Sequence, residues 1–237
     1  MKMLRSLFLL MMIPGTAVLF SFLPETNASP ELLASGTLIN PAAVLYDATG
    51  LKDHGLTYEA FTLALRGKEK LEAAGKLEKT NLITIADFSQ SSCKKRLYVI
   101  DLSEQKILYQ TFVAHGKNSG VEYARSFSNE PQSYKSSLGF YTTRESYTGE
   151  HGTSLRLMGE EAGINSNALE RAIVMHGAAY VSQQFVNENG RLGRSQGCPA
   201  LPDDQCADII NLVKNGSCIF LYYPDQNYLS HSALLHD

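Results

Sequence analysis

The strongest constraint on the fold is a series of short segments, after Lys79, that are rich in Ile, Val, Tyr, Phe and Thr. β-Branched and aromatic residues in short runs are typical of strands. The segments cover residues 82–88, 96–102, 107–115, 138–145, 154–159, 171–176 and 217–223. Only residues 103–106 separate the second segment from the third, which predicts a β-hairpin. A mainly β domain is therefore expected.

Two helices are predicted beside these strands. Residues 56–75 have apolar side chains at helical spacing, and Thr57 can cap the start. One face of this helix carries Tyr58, Phe61 and Leu65. Residues 203–216 form the second helix, which Gly216 ends. Its buried stripe consists of Cys206, Ile210 and Val213. The expected architecture is a β domain with one packed helix, preceded by a short helical segment.

The first 28 residues have the composition of an export signal. A basic start is followed by an apolar run over residues 7–23, and then by a polar stretch that ends at Ala28. This order is the signature of a secretory signal peptide, with Ala34 as an alternative cleavage position. The alternative is a retained N-terminal anchor, the one route by which this chain would contact a membrane. The sequence thus predicts an exported protein of the periplasm or cell envelope.

The remaining chain is expected to divide into a helical N-terminal segment at 29–80, a β-rich domain at 81–225 and a C-terminal tail at 226–237. The net charge of −3 and the absence of a long basic run argue against nucleic-acid binding. The four cysteines contain no C-x-x-C spacing, so no metal site is predicted, and no cofactor is expected. Cys206 and Cys218 are expected to pack as small apolar residues, with a disulfide between them as the alternative.

The chemistry is expected between His176 and Cys198. His176 ends the strand RAIVMH, and Cys198 follows Gly197 in the segment GRSQGCPAL. A cysteine nucleophile acts as its thiolate and needs a nearby base, which histidine supplies near neutral pH. Both residues also suit an ordinary structural role, as a small core side chain and a polar strand end. Two further histidines, His115 and His151, are expected at strand ends near the cleft, outside direct contact with substrate.

Residues 82–223 resemble the catalytic domain of L,D-transpeptidases (the YkuD-type fold), and in particular the murein L,D-transpeptidase catalytic domain branch. The matching motifs are HGKNSG, FSN, SSLGFY, GEHGTSLRLMG, RAIVMHGAAYV and GRSQGCPAL. The wider family has Ser/Thr-His-Gly-Cys at the nucleophile. This chain keeps Ser195, Gly197 and Cys198 but has Gln196 in place of the histidine.

The resemblance implies a β-sandwich or barrel fold and a cysteine acyltransferase. Cys198 would attack the L,D peptide bond of a peptidoglycan tetrapeptide stem, release D-alanine and pass the acyl group to an amine. That amine would belong to a second stem or to a protein that becomes attached to the wall. His176 would be the base, oriented by a backbone carbonyl for which Gly177 is the nearest candidate. The backbone N–H groups of Gly197 and Cys198 would bind the oxyanion.

The loops on either side of the nucleophile supply the candidate substrate-binding residues. Arg194 and Ser195 could hold a stem-peptide carboxylate, since an Arg fork suits that group. Gly177 and Tyr180, in the loop after His176, are the other two candidates. An L,D-carboxypeptidase that uses the same acyl-enzyme, and an inactive wall-binding scaffold, remain as alternative functions.

Overall fold

A computed structural model describes residues 40–236. Its eight strands are β1 (Leu82–Asp87), β2 (Leu97–Asp101), β3 (Lys106–Thr111), β4 (Gly139–Gly149), β5 (Gly152–Gly159), β6 (Val174–Gly177), β7 (Ala200–Leu201) and β8 (Cys218–Tyr222). Its helices are α1 (Pro41–Ala48), α2 (Tyr58–Ala73), α3 (Gln183–Asn189), α4 (Asp203–Val213) and α5 (Gln226–His231). The mainly β prediction is confirmed.

All eight strands belong to one sheet, in the order β3-β2-β1-β8-β4-β5-β6-β7. The two edges approach each other where the chain leaves β3. There the Ala114 N–H donates to the Ala200 carbonyl of β7 over 2.9 Å. Gly116 forms a second bridge, to Ser195. The sheet is therefore nearly closed, and its closure lies beside the segment that carries Cys198.

Alternation along the strands divides the core in two. In β8, Phe220 faces a cluster that includes Phe61 of α2, whereas Ile219 and Leu221 face a cluster beneath α4. This is the period of two expected for a strand that is covered on both faces. Cys218 lies in the first cluster and Cys206 in the second. Because they are on opposite sides of the sheet, the alternative of a disulfide between them is wrong.

The predicted helices are present with small differences at their ends. Thr57 caps α2 by accepting the Ala60 N–H, as expected, and Phe61 is fully buried, but Tyr58 is 38% exposed. The second helix ends at Val213, three residues before the predicted stop, because Lys214 adopts an extended conformation. Helix α1 lies inside the segment 29–80 that was expected to be helical, although no helix was predicted at its position, and α3 and α5 were not predicted.

The C-terminal residues 226–236 were expected to be a tail, but they contain α5 and pack on the domain. Tyr228 and Leu235 are almost fully buried. The buried carboxylate of Glu161 accepts hydrogen bonds from the Tyr228 hydroxyl at 3.2 Å and from the Ser232 hydroxyl.

The predicted export signal at 1–28 lies outside the described residues. Within residues 40–236, every helix is too short or too polar to cross a bilayer.

Candidate active site

Strand pairing brings His176 and Cys198 into one cavity. His176 lies near the end of β6, opposite Ala200 of β7 in a parallel register, and Cys198 comes two residues before Ala200. The cavity has a volume of about 590 Å³ and both side chains line it. The candidate nucleophile and base are thus placed together by the last strand pair of the sheet.

The imidazole of His176 is held in one orientation. Its Nδ1 lies 2.8 Å from the Gly177 carbonyl oxygen, so Nδ1 carries the proton and Nε2 is left as the basic nitrogen. Burial lowers the pKa of His176, and the neighbouring His151 lowers it further. Gly177 is the predicted source of this carbonyl. A Cβ on Gly177 would lie 2.6 Å from Asp203 Oδ1, so the packing of α4 also requires a glycine here.

The Cys198 thiol is half-buried, and burial raises its pKa. A backbone hydrogen bond from Val174 and the positive charge of Arg171 act in the opposite direction, because both stabilise the thiolate. The Arg171 guanidinium is itself anchored on the segment 128–137, where Nη1 donates to the Ser128 carbonyl over 2.7 Å. The sequence analysis did not identify Arg171, which starts the RAIVMH segment and has no motif around it.

The loop before Cys198 differs from expectation at Gly197 and Ser195. The Gly197 N–H, predicted to bind the oxyanion, donates to Ser195 Oγ over 3.0 Å and is therefore occupied. Ser195 Oγ in turn donates to the Cys198 carbonyl over 2.6 Å. This hydroxyl is thus used to shape the loop and is not free for a substrate carboxylate. Within residues 40–236 the Cys198 N–H donates to no backbone or side-chain oxygen, and it stabilises the thiolate of its own side chain.

Gly197 nevertheless has a strict requirement for glycine. Its φ of 127° is in the region that side chains rarely adopt. A Cβ there would lie 2.8 Å from the Lys135 carbonyl oxygen and 3.1 Å from Arg171 Nη2. The close approach of the 128–137 segment therefore fixes both the residue type and the turn that presents Cys198.

Of the other predicted substrate-binding residues, Arg194 and Tyr180 line the cavity, whereas Gly177 does not. Arg194 donates through Nη1 to the carbonyls of Lys117 and Gly120, at 3.0 and 3.1 Å, which fixes the guanidinium at the cavity wall. Tyr180 is half-buried, and burial raises its pKa to about 12, so its hydroxyl stays protonated. Lys117, which was not predicted, adds a second positive charge to this wall.

His115 lies behind the cavity, fully buried, as one half of a pair with Arg96. Arg96 Nη2 lies 2.8 Å from His115 Nδ1, and His115 Nε2 lies 3.3 Å from the Gly120 carbonyl oxygen. Burial and the guanidinium charge lower the pKa of His115 to about 3, so the ring is neutral. Its own carbonyl accepts the Ser195 N–H over 3.0 Å. His115 therefore supports the nucleophile loop from below and has no contact with the cavity.

His151, at the tip of the β4–β5 hairpin, has a more direct position than expected. Its ring stacks on that of His176, with centroids 4.6 Å apart and planes inclined by 26°. The hairpin also places Tyr147 and Glu150 on the cavity wall.

A family model described as the L,D-transpeptidase catalytic domain matches residues 52–222. The chain belongs to this family. The match covers both halves of the sheet, the cavity and α2. In the L,D-transpeptidase catalytic domain of this chain, Gln196 is exposed to solvent, next to the segment that carries Cys198.

Solved structures with a similar fold include two L,D-transpeptidases from mycobacteria. One, from Mycobacterium smegmatis, is 15% identical over 60% of this chain and 59% of its own, with a TM-score of 0.38. L,D-transpeptidase 1 from Mycobacterium tuberculosis is 15% identical over 60% of this chain and 62% of its own, with a TM-score of 0.34.

A third similar structure is the helical cell shape determining protein Pgp2 from Campylobacter jejuni. It is 14% identical over 61% of this chain and 48% of its own, with a TM-score of 0.38. The chain thus covers less than two thirds of the length of each of these three proteins. No curated protein sequence matches the chain.

Proposed function

We propose that this protein is a peptidoglycan L,D-transpeptidase that acts outside the cytoplasmic membrane. The observation that carries the proposal is the fixed His176 ring, whose Nδ1 bonds the Gly177 carbonyl while its Nε2 remains basic in the cavity that holds the Cys198 thiol. This chain also belongs to the L,D-transpeptidase catalytic domain family. A wall-binding scaffold would need neither an oriented imidazole nor an accessible thiol.

In the proposed reaction, His176 Nε2 takes the proton of the Cys198 thiol, and the thiolate attacks the carbonyl of the third residue of a tetrapeptide stem. The C–N bond to D-alanine breaks, and the imidazolium returns its proton to the leaving amine. An acyl-thioester on Cys198 remains. An amine from a second stem or a wall-attached protein then attacks this thioester, forms a new amide and restores the thiol.

The cavity supplies the electrostatic help that these steps need. Negative charge develops first on the sulfur and then on the carbonyl oxygen. Arg171 favours the thiolate, and the Cys198 N–H, which donates to no oxygen within residues 40–236, is the candidate donor to the oxyanion. One such donor is typically worth about 10²–10³-fold in rate. Arg194 and Lys117 give the cavity wall the positive charge that suits a stem-peptide carboxylate.

Intact-protein mass spectrometry tests the proposal. The protein without residues 1–28 is incubated with a disaccharide-tetrapeptide and, separately, with a carbapenem, whose strained amide acylates nucleophiles. We expect a covalent adduct on Cys198 and release of D-alanine. Cys198→Ala removes the adduct. The matched control Cys93→Ala, which removes the other half-buried thiol, keeps it.

The products in the same reaction distinguish transfer from hydrolysis. Cross-linked dimers indicate that an amine resolves the thioester, whereas free tripeptide indicates that water does. A folded, reduced sample that forms no adduct and releases no D-alanine would refute the proposed function.

A further inference from the structure

The histidine pair at the cavity mouth is not explained by the proposed steps, which use one imidazole only. His151 is exposed at a hairpin tip, yet its ring lies nearly parallel to the buried ring of His176 at 4.6 Å. His176 needs both ring nitrogens in defined positions. The hydrogen bond to the Gly177 carbonyl fixes Nδ1, but a single bond leaves the ring free to rock about it.

We propose that His151 is a positioning residue for His176. Its imidazole covers one face of the catalytic ring and restrains the orientation in which Nδ1 bonds Gly177 and Nε2 faces the cavity. The inference rests on the proposed roles of His176 and Cys198. His151 itself transfers no proton in this reaction.

The position of the two rings in the sheet supports this role. Ser154 of β5 is the register partner of His176 in β6, and His151 comes three residues before it, at the hairpin turn. The turn therefore folds the His151 ring back over the strand pair that carries the base. Offset stacking of aromatic rings at such separations is favourable and restricts rotation.

The electrostatic surroundings of His176 come from three elements. His151 on the hairpin lowers the pKa of the base, whereas Asp203 at the start of α4 raises it. The third element is the nucleophile segment, which places the Cys198 thiol in the same cavity as His176. Other ionisable side chains that line the cavity are Lys117, Tyr147, Glu150, Arg171, Tyr180 and Arg194. His151 covers one face of His176 and also lowers its pKa, so removal of the His151 side chain should raise the pKa of His176.

Two substitutions separate these effects. His151→Phe keeps a ring over His176 but removes its charge, and His151→Ala removes both. His231→Phe, which replaces an exposed histidine on α5, is the matched control. The first readout is the pKa of His176, measured by an NMR titration of 13C-labelled histidine. The second is the pH profile of Cys198 alkylation by iodoacetamide.

We expect His151→Ala to raise the pKa of His176, with His151→Phe producing a smaller rise in the same direction. The alkylation profile should shift with it. Turnover of the disaccharide-tetrapeptide should fall about tenfold in His151→Ala and less in His151→Phe, through kcat rather than KM. The control should match the wild type in all three measurements.

The proposal is overturned if both variants titrate and alkylate like the wild type while they remain folded. Alkylation needs no peptidoglycan substrate. A shift in the alkylation profile without turnover of the muropeptide would therefore support the role of His151 and count against the proposed function alone.

Discussion

The buried Arg96–His115 pair makes the stability of the domain depend on pH in a defined window. In the unfolded chain, His115 has its ordinary pKa of about 6.5, whereas in the folded protein the pKa is lowered to about 3. Between these two pH values His115 binds a proton in the unfolded state but stays neutral in the folded state. The stabilisation is therefore complete above about pH 6.5 and is lost progressively as the pH falls toward 3.

The expected loss follows from this difference. Between about pH 7.5 and about pH 4.5, proton uptake by the unfolded His115 lowers the free energy of unfolding by about 2–3 kcal/mol. The loss depends little on the folded pKa, as long as that pKa stays below about 4. His115→Gln should remove the effect, because an amide can accept from Arg96 and donate to the Gly120 carbonyl but does not titrate.

Urea unfolding at the two pH values, for wild type and His115→Gln, measures the effect. The wild type should lose about 2–3 kcal/mol more than the variant on acidification, whatever the stability of the variant at neutral pH. His231→Gln serves as the control, because its imidazole is exposed to water in the folded protein as well. Equal losses in wild type and His115→Gln would show that the folded His115 accepts a proton beside Arg96.

Three further predictions concern the loop, its support and the C-terminal helix. Gly197→Ala should slow adduct formation on Cys198 by about 10²-fold, because the new Cβ would clash with the Lys135 carbonyl oxygen and shift the turn that carries Cys198; mass spectrometry of the carbapenem adduct measures this. Arg171→Met should raise the pKa of Cys198, seen as an alkylation profile that moves to higher pH; an unchanged profile contradicts the assigned charge effect. Glu161→Leu leaves the Phe140 N–H and the Tyr228 hydroxyl without an acceptor. It should lower the free energy of unfolding by about 2–4 kcal/mol and increase hydrogen exchange in α5, whereas unchanged exchange there would contradict the role of Glu161.

The sequence predicts what local pattern determines. Strands such as β8 are recognisable because alternate side chains face two apolar cores, and Thr57 is a recognisable cap because capping depends on the next three residues. Helix α3 was not predicted because it is short and mostly polar, so its sequence shows neither helical periodicity nor an apolar face.

The site follows the same division between local and distant information. His176 and Cys198 are carried by motifs, and Gly177 was correctly expected to supply the carbonyl to His176 because the two residues are adjacent. His151 over His176, and Arg171 beside Cys198, depend on how distant segments meet in space. The Gly197 N–H was predicted as free because the rotamer of Ser195, which occupies it, has no signature in the sequence.

The parallel pairing of β1 with β8 has a consequence for the order of folding. Ile83 lies opposite Cys218, so the centre of the sheet joins segments from the two ends of the domain. β1 and β8 can pair only when nearly the whole domain has been synthesised, and such long-range pairing slows folding. The two-residue β7, which seats the nucleophile, precedes β8 along the chain and depends on the same finished sheet. We therefore expect that a growing chain cannot complete its thiol site until β8 has emerged, which makes the site a late product of folding.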